Sequence, residues 1–229
     1  MTNQTLATLT CVGFIMDGNR RWAKEQSLPT LVGHQVGKDI FYNSIGWVKE
    51  QNISHAVYYA FSTENWLRET EEVSYLMDLF SSFISSILTE KSIKNTRVRF
   101  IGSRIKFSNE LQLLMEELET QTAQYIETTV WIALSYGGRA EIVDACNQAI
   151  TVGKSVDENT FSQYLYTSHM PDPDLIIRTG GEKRLSNFLP WQSVYSELFF
   201  SDTYWPAFTN EEFTRIVGQY GERKRRRGK

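Results

Sequence analysis

The chain has 229 residues, 41% of them hydrophobic, and a formal net charge of −3 at pH 7. This apolar share is enough for a buried core and argues against intrinsic disorder. Two cysteines, Cys11 and Cys146, are too few and too poorly spaced for a disulfide framework or a metal site. No apolar run approaches the ~20 residues that span a bilayer, and no signal peptide is recognisable, so we expect a cytoplasmic protein.

Short apolar runs alternate with helical patterns along the chain. Strands are predicted over residues 11–16, 56–61, 98–101, 130–134, 175–178 and 198–200. Helices are predicted over residues 32–51, 109–125 and 139–152, with a long one capped by Thr70 and a final one capped by Thr209. This alternation predicts an α/β fold, with a mostly parallel sheet of about six strands flanked by helices in a single domain over residues 1–229.

Basic residues are concentrated at the C-terminus, where residues 222–229 read ERKRRRGK. Such a run is usually a solvated tail. It could also contact nucleic acid, anionic lipid or a partner subunit.

Polar clusters rich in arginine and glycine follow four of the predicted strands. They occupy residues 17–21, 62–68, 135–139 and 178–187. Ligands of parallel sheets bind beyond the carboxyl ends of the strands, so we expect these clusters to form one site. Arg21, Arg68, Arg178 and Arg184 supply more positive charge than a monophosphate needs, which favours two diphosphates or one polyphosphate. Neither GxxxxGK[ST] nor a GxGxxG turn after the first strand is present, so a nucleotide is not the first choice.

Two further features narrow the range of possible ligands. Mg²⁺ prefers one or two carboxylates together with phosphate oxygens, and Asp17 and Glu197 are the candidate ligands. The helix after Thr70 carries a long apolar stripe over residues 73–88. That stripe would serve either as an ordinary core face or, in part, as the wall of a cavity for a hydrocarbon.

Five segments resemble the signature blocks of cis-prenyltransferases, whose bacterial type is undecaprenyl diphosphate synthase. They are MDGNRRWA (residues 16–23), GH at 33–34, YAFSTENW (59–66), SYGGR (135–139) and IIRTGGEKRLSNFLPWQ (176–192), followed by Glu197. They occur in the family's order between about residues 11 and 208. The resemblance implies Mg²⁺-dependent addition of isopentenyl diphosphate to an allylic diphosphate, typically farnesyl diphosphate. The implied product is a Z-polyprenyl diphosphate such as undecaprenyl diphosphate, a cell-wall lipid carrier.

The resemblance also implies roles for individual residues. Asp17 matches the essential aspartate that holds Mg²⁺, and Glu197 matches a second metal ligand. Asn65 matches a proposed proton acceptor, but because an amide is a weak base we assign it an orienting role, with pyrophosphate as the alternative base. The implied substrate-binding residues are Gly18, Asn19, Arg20, Arg21, Trp22, His34, Ser62, Thr63, Glu64, Trp66, Arg68, Arg178, Arg184, Leu185 and Ser186.

The family resemblance further implies a homodimer, a transient contact with a membrane surface for product release, and no nucleic-acid partner. The tail then resembles an element that reaches toward the partner's site. Arg20 stands where glycine is commoner in the family, and Thr30 stands where a phosphate-binding arginine is common. Product length would be set by an apolar tunnel beside the long helix, with Ala60, Trp131 and Leu134 as candidate wall residues.

Other functions fit the sequence less well. Trans-type prenyltransferases use DDxxD motifs, which this chain lacks. A non-catalytic partner subunit would lose the aspartate turn, whereas Asp17 is intact. A nucleic-acid-binding protein would leave the clusters at the strand ends unexplained. A synthase of shorter Z-prenyl diphosphates remains an alternative.

Overall fold

Six parallel strands form the centre of the fold. The computed structural model describes residues 9–90 and 93–222. The strands are β1 (Cys11–Ile15), β2 (His55–Ser62), β3 (Thr96–Ile101), β4 (Thr128–Tyr136), β5 (Leu175–Arg178) and β6 (Glu197–Phe200). They lie in the order β3-β4-β2-β1-β5-β6, and every neighbouring pair is parallel. The predicted α/β fold with a six-stranded sheet is confirmed.

Helices cover both faces of this sheet. They are α1 (Asn19–Glu25), α2 (Thr30–Glu50), α3 (Thr70–Glu90), α4 (Asn109–Gln121), α5 (Gly138–Val152), α6 (Glu158–Phe161) and α7 (Asn210–Glu222). Short 3₁₀ segments cover Thr63–Leu67, Ser162–Tyr164 and Trp205–Ala207. None of the helices within the described ranges is both long and apolar enough to cross a bilayer.

The predicted helices are confirmed, with corrections at their ends. Thr70 is the first residue of α3 and not the cap before it, whereas the predicted cap Thr209 accepts a hydrogen bond from the Glu212 amide at 3.3 Å. Helix α4 ends four residues before the predicted boundary. At that end the Thr122 hydroxyl donates to the Leu118 carbonyl and accepts from the Val98 amide of β3. Helices α1 and α6 were not predicted, because each is too short to show a helical period.

The sheet separates two apolar layers. One face packs against α2, α3, α4 and α7, and its core includes Phe14, Tyr58 and Ile84. The opposite face packs Val57 and Trp131 with residues of the 185–189 loop. Strand residues alternate between faces, and the register pairs Val57 with Trp131. The prediction of Trp131 as a tunnel wall is therefore wrong, because its side chain lies in the layer opposite α3.

Helices α1 and α2 cross closely just after β1. A methyl group built on Gly33 would lie 2.1 Å from the backbone oxygen of Asn19, and one on Gly37 would lie 2.3 Å from Asn19 Oδ1. Position 33 requires glycine because its near neighbour is backbone, whereas at position 37 the near neighbour is the end of the Asn19 side chain. The crossing fixes α1, and therefore the turn at Asp17 that precedes it.

Gly33→Ala is expected to lower the melting temperature, because the added methyl group would overlap the Asn19 backbone. Overpacking of this kind costs ~1–3 kcal/mol. For a chain of this length, ~1 kcal/mol corresponds to about 2–4 °C, which thermal unfolding measures directly.

Gly46→Ala is the matched control, because Gly46 lies in the same helix and its added methyl group would meet nothing within 4 Å. Alanine is favoured over glycine in a helix by ~1 kcal/mol, so this variant should melt at the same temperature or higher. Equal destabilisation of both variants would contradict a specific α1–α2 contact.

Candidate active site

A cavity of about 840 Å³ lies where β1, β2, β4 and β5 end. Part of its lining is polar and comes from residues that follow the strands: Asp17, Asn19, Ser62, Glu64, Asn65, Arg68, Arg139, Arg178, Ser186 and Asn187. The rest is largely apolar and includes Phe41, Ala60, Leu76, Leu79, Phe80, Phe83, Ile84, Phe100, Ile132 and Leu134. Part of the stripe on α3 thus lines an apolar cavity, as one of the two interpretations of the sequence predicted, while Ile87 belongs to the core.

A second cleft of about 720 Å³ adjoins this cavity. Met16, Asp17, Asn19, His34 and Arg68 line both spaces. The second cleft adds basic side chains and the first turn of α2, namely Arg20, Arg21, Lys24 and Thr30. The polar end of the cavity is therefore continuous with a strongly basic surface.

Asp17 is held from several sides at the end of β1. Its carboxylate accepts from Arg178 Nη2 at 2.8 Å and from the Gly18 amide at 2.6 Å, and it lies 3.2 Å from Arg21 Nη2. Gly18 has φ 103°, which favours glycine, so the turn that brings its amide back to the carboxylate depends on this residue type. The carboxylate therefore has a defined orientation toward the cavity.

The backbone of Asp17 is fixed by the strand and the loop beside it. Its amide donates to Thr179 Oγ1 at 3.0 Å, and its carbonyl accepts from Thr179 Oγ1 at 2.8 Å and from the Trp205 amide at 2.9 Å. From the sequence, Thr179 was placed in the polar cluster at 178–187 without a role, and Trp205 was not identified. Thr179 directly follows the predicted strand that ends at Arg178, which was the only available signal.

Arg178 joins the aspartate turn to the 184–187 loop. Its side chain is 5% exposed, and Nη1 donates to Ser186 Oγ at 2.7 Å and to the Arg184 carbonyl. Its buried Nε has no hydrogen-bond partner among the described residues. The Arg184 guanidinium instead points to Glu182, which also lies 3.7 Å from Arg21. The two predicted substrate-binding arginines thus differ in exposure: Arg178 is buried and Arg184 is largely exposed.

The 3₁₀ segment after β2 orients the side chains of Glu64 and Asn65. Asn65 Oδ1 accepts from the Ser62 amide at 3.0 Å. This contact fixes the orientation of the Asn65 amide, and the orienting role of this residue stays a prediction. Glu64 accepts from Asn187 Nδ2 at 2.9 Å and from Thr63 Oγ1 at 3.1 Å. Partial burial opposes ionisation of Glu64, but these hydrogen bonds outweigh it and lower its pKa.

Glu72, in the first turn of α3, gathers three of the predicted binding residues. Its carboxylate lies 2.9 Å from Arg68 Nη1, 3.6 Å from His34 Nε2 and 3.7 Å from Arg20 Nη1. Burial, followed by the nearby Arg68 charge, lowers the pKa of His34, so its imidazole is mainly neutral at pH 7. Glu72 was not among the site residues predicted from the sequence.

Twelve of the predicted site residues line the cavity or the cleft. They are Asp17, Gly18, Asn19, Arg20, Arg21, His34, Ser62, Glu64, Asn65, Arg68, Arg178 and Ser186. Six others lie outside both linings: Trp22, Thr63, Trp66, Arg184, Leu185 and Glu197. Trp66 instead donates through Nε1 to Ser135 Oγ at 2.9 Å and packs against Phe61.

Glu197 is far from Asp17 along the sheet. It begins β6 opposite Leu175, which lies opposite Val12 near the start of β1. Asp17 follows the other end of β1, so at ~3.3 Å per residue the two positions are roughly 10 Å or more apart. Within the described residues, no three metal-ligating side chains cluster. Asp17 with substrate phosphates suits the ligand set that Mg²⁺ prefers, whereas a metal role for Glu197 stays a prediction.

Known proteins resemble this chain in sequence over most of its length. The family model described as putative undecaprenyl diphosphate synthase matches residues 15–228. The isoprenyl transferase of Thermotoga maritima is 45% identical over 222 residues, covering 95% of each chain. That of Aquifex aeolicus is 45% identical over 219 residues, again covering 95% of each.

Solved structures show the same fold over nearly the whole chain. Lavandulyl diphosphate synthase from Lavandula x intermedia, in complex with dimethylallyl diphosphate, superposes with a TM-score of 0.90 at 29% identity, covering 97% of this chain and 99% of that one. A probable undecaprenyl diphosphate synthase from Campylobacter jejuni gives 0.83 at 32% identity, with the same coverage. The chain therefore belongs to the undecaprenyl diphosphate synthase family of prenyltransferases.

Proposed function

We propose that this prenyltransferase condenses isopentenyl diphosphate with an allylic diphosphate, farnesyl diphosphate, in a Mg²⁺-dependent reaction. The proposed product is a Z-polyprenyl diphosphate such as undecaprenyl diphosphate. The observation that carries the proposal is that one cavity has both a cationic part and an apolar part. Its cationic part suits diphosphates, and its apolar part suits a hydrocarbon chain.

Recognition of the diphosphates rests on the arginines. Arg21, Arg68 and Arg178 surround the shared opening of cavity and cleft, and guanidinium groups match phosphate oxygens with charge-assisted hydrogen bonds. The relative with bound dimethylallyl diphosphate supports a diphosphate as the ligand class. Arg20 lines the cleft together with Thr30, so it is placed to supply positive charge where threonine has none.

Catalysis requires an allylic C–O bond to break and a new C–C bond to form. Mg²⁺ bound at Asp17 would stabilise the negative charge of the departing diphosphate. Arg178 and Thr179 hold Asp17 in position, and Arg21 and Arg68 add electrostatic stabilisation of the leaving group. The apolar walls exclude water from the electron-deficient allylic carbon, which protects it from hydrolysis. The proton lost from the isopentenyl unit passes to a diphosphate oxygen, while Asn65 orients the reacting groups.

The remaining parts of the proposal concern assembly and location. We infer a cytoplasmic homodimer that releases its lipid product at a membrane surface. Val194 and Tyr195, which are 68% and 67% exposed, lie just before the edge strand β6 and suit a contact between subunits. Glu197 follows these two residues and is distant from Asp17 of its own subunit. If Glu197 binds a metal, we therefore infer that it does so at the active site of the partner subunit. The basic residues 223–229 lie outside the described part of the chain, and any role for them stays a prediction.

Asp17→Asn is expected to reduce kcat at least ~100-fold with a smaller effect on KM, because the amide keeps the shape but removes the charge that would bind Mg²⁺. Incorporation of labelled isopentenyl diphosphate onto farnesyl diphosphate measures this, and a chelator should abolish incorporation by the wild type. Asp39→Asn, on the exposed side of α2, is the control and should retain full activity. Near-native turnover by Asp17→Asn would contradict the role assigned to Asp17. If the wild type incorporated no isopentenyl diphosphate with any C10–C20 allylic primer, the proposed prenyltransferase activity would be contradicted.

Product length should depend on the wall that α3 faces. Ala60→Leu adds bulk to the cavity and should shorten the product, whereas Leu134→Ala removes bulk and should lengthen it. Mass analysis of the products made in vitro measures both changes. Trp131→Phe is the control, since Trp131 packs in the opposite layer and should not alter product length. If product length changed only in Trp131→Phe, the hypothesis that the cavity determines product length would be contradicted.

A further inference from the structure

A lysine lines the cavity among apolar side chains. Lys38 of α2 contributes to the lining together with Phe41, Leu79 and Phe83. His34, Lys38 and Phe41 follow helical spacing, so they lie along one face of α2. A cation at this position is unexpected for a pocket that only has to hold a hydrocarbon.

The position along α2 places Lys38 between the polar and the apolar parts. Thr30 lines the basic cleft, His34 lines both spaces, and Lys38 and Phe41 line only the cavity. At 1.5 Å per residue, the Lys38 backbone lies about 6 Å further along the helix than that of His34. The Cα–Cβ bonds of a helix tilt toward its N-terminus, so a lysine at this position can extend its ammonium group toward the polar part.

Lys38 also differs from neighbouring cations in its partners. Arg178 pairs with Asp17, and Arg68 pairs with Glu72. By contrast, no carboxylate among the described residues lies within 4.0 Å of the Lys38 ammonium. Lys38 is partly buried, and an anionic group bound beside its ammonium would form a charge-assisted hydrogen bond with it.

We propose that Lys38 binds the allylic diphosphate, through the phosphate that is attached to the prenyl carbon. This inference rests on the proposed function and adds a binding residue to it. The ammonium contacts the phosphate, while the methylene stem covers the apolar wall beside the first prenyl unit. Lys38 thereby selects for a ligand that combines an anionic head group with a hydrocarbon chain at this point of the cavity.

The test measures ligand binding by calorimetry with the full-length protein in Mg²⁺ buffer. Lys38→Met keeps the length of the side chain and removes its charge. The dissociation constants of farnesyl diphosphate and of inorganic pyrophosphate should rise about tenfold, the loss expected for one charge-assisted hydrogen bond. Farnesol, which has no phosphate, should bind the variant at least as tightly as the wild type. Lys38→Arg should stay within about threefold of the wild type for all three ligands.

Controls separate this effect from a general loss of structure. Lys154→Met makes the same substitution at an exposed site in the α5–α6 connection and should leave all affinities unchanged. Without ligand, Lys38→Met should melt no lower than the wild type, because it removes an unpaired charge, whereas the stabilisation by farnesyl diphosphate should shrink.

Two results would overturn the inference. Unchanged affinity of Lys38→Met for farnesyl diphosphate would mean that the ammonium lies in solvent. Equal weakening of farnesol and farnesyl diphosphate would mean that Lys38 acts only as apolar wall. Because these are binding measurements, they are separable from the proposed function. A wild type that binds farnesyl diphosphate without transferring prenyl groups would contradict only the function, and an active wild type with unaltered Lys38→Met affinity would contradict only Lys38.

Discussion

The ion pair between Asp17 and Arg178 is the contact on which the site depends. It joins the ends of two neighbouring parallel strands, with Arg178 Nη2 2.8 Å from Asp17 Oδ2. Because the arginine is almost fully buried, removal of the carboxylate would leave a charge without its partner, which is costly in a protein interior. The same guanidinium holds the 184–187 loop through Ser186. One interaction thus connects the proposed metal ligand to the loop that carries the predicted substrate-binding residues Arg184, Leu185 and Ser186.

The cavity solves a problem that follows from the substrate class. A prenyl diphosphate is highly charged at one end and purely apolar along the rest, so its pocket needs strong cations next to a dry wall. The parallel sheet supplies both. Its strand ends carry arginines and backbone turns, its face supplies apolar side chains such as Leu134, and α3, which covers that face, adds others such as Phe83. Glu72 and Asp17 keep several of these cations paired, and Lys38 lies where the two environments meet.

Much of the architecture could be predicted because local sequence patterns indicate the strands and helices. Apolar runs of strand length alternate with helical periods, and polar clusters follow the strands, so the parallel sheet and its functional edge were predictable. Elements without a period of their own were not. Helix α1 has seven residues and follows a positive-φ glycine, and its position is set by the close crossing at Gly33 rather than by its own sequence. The support of Asp17 by Trp205 was hidden for the same reason, since 188 positions separate the two residues in the chain.

The sequence by itself determined the fold class, the family and most of the residues around the shared opening, because residue types and their order carry that information. Only the tertiary structure decided which way individual side chains face. The register of β2 and β4 sends Trp131 to one layer and Leu134 to the other, and a shift of one residue would have reversed them. It also placed Glu197 at the far end of the sheet from Asp17, and it placed Lys38 in the cavity. Contacts between residues far apart in the chain decide such positions, and no local pattern encodes them.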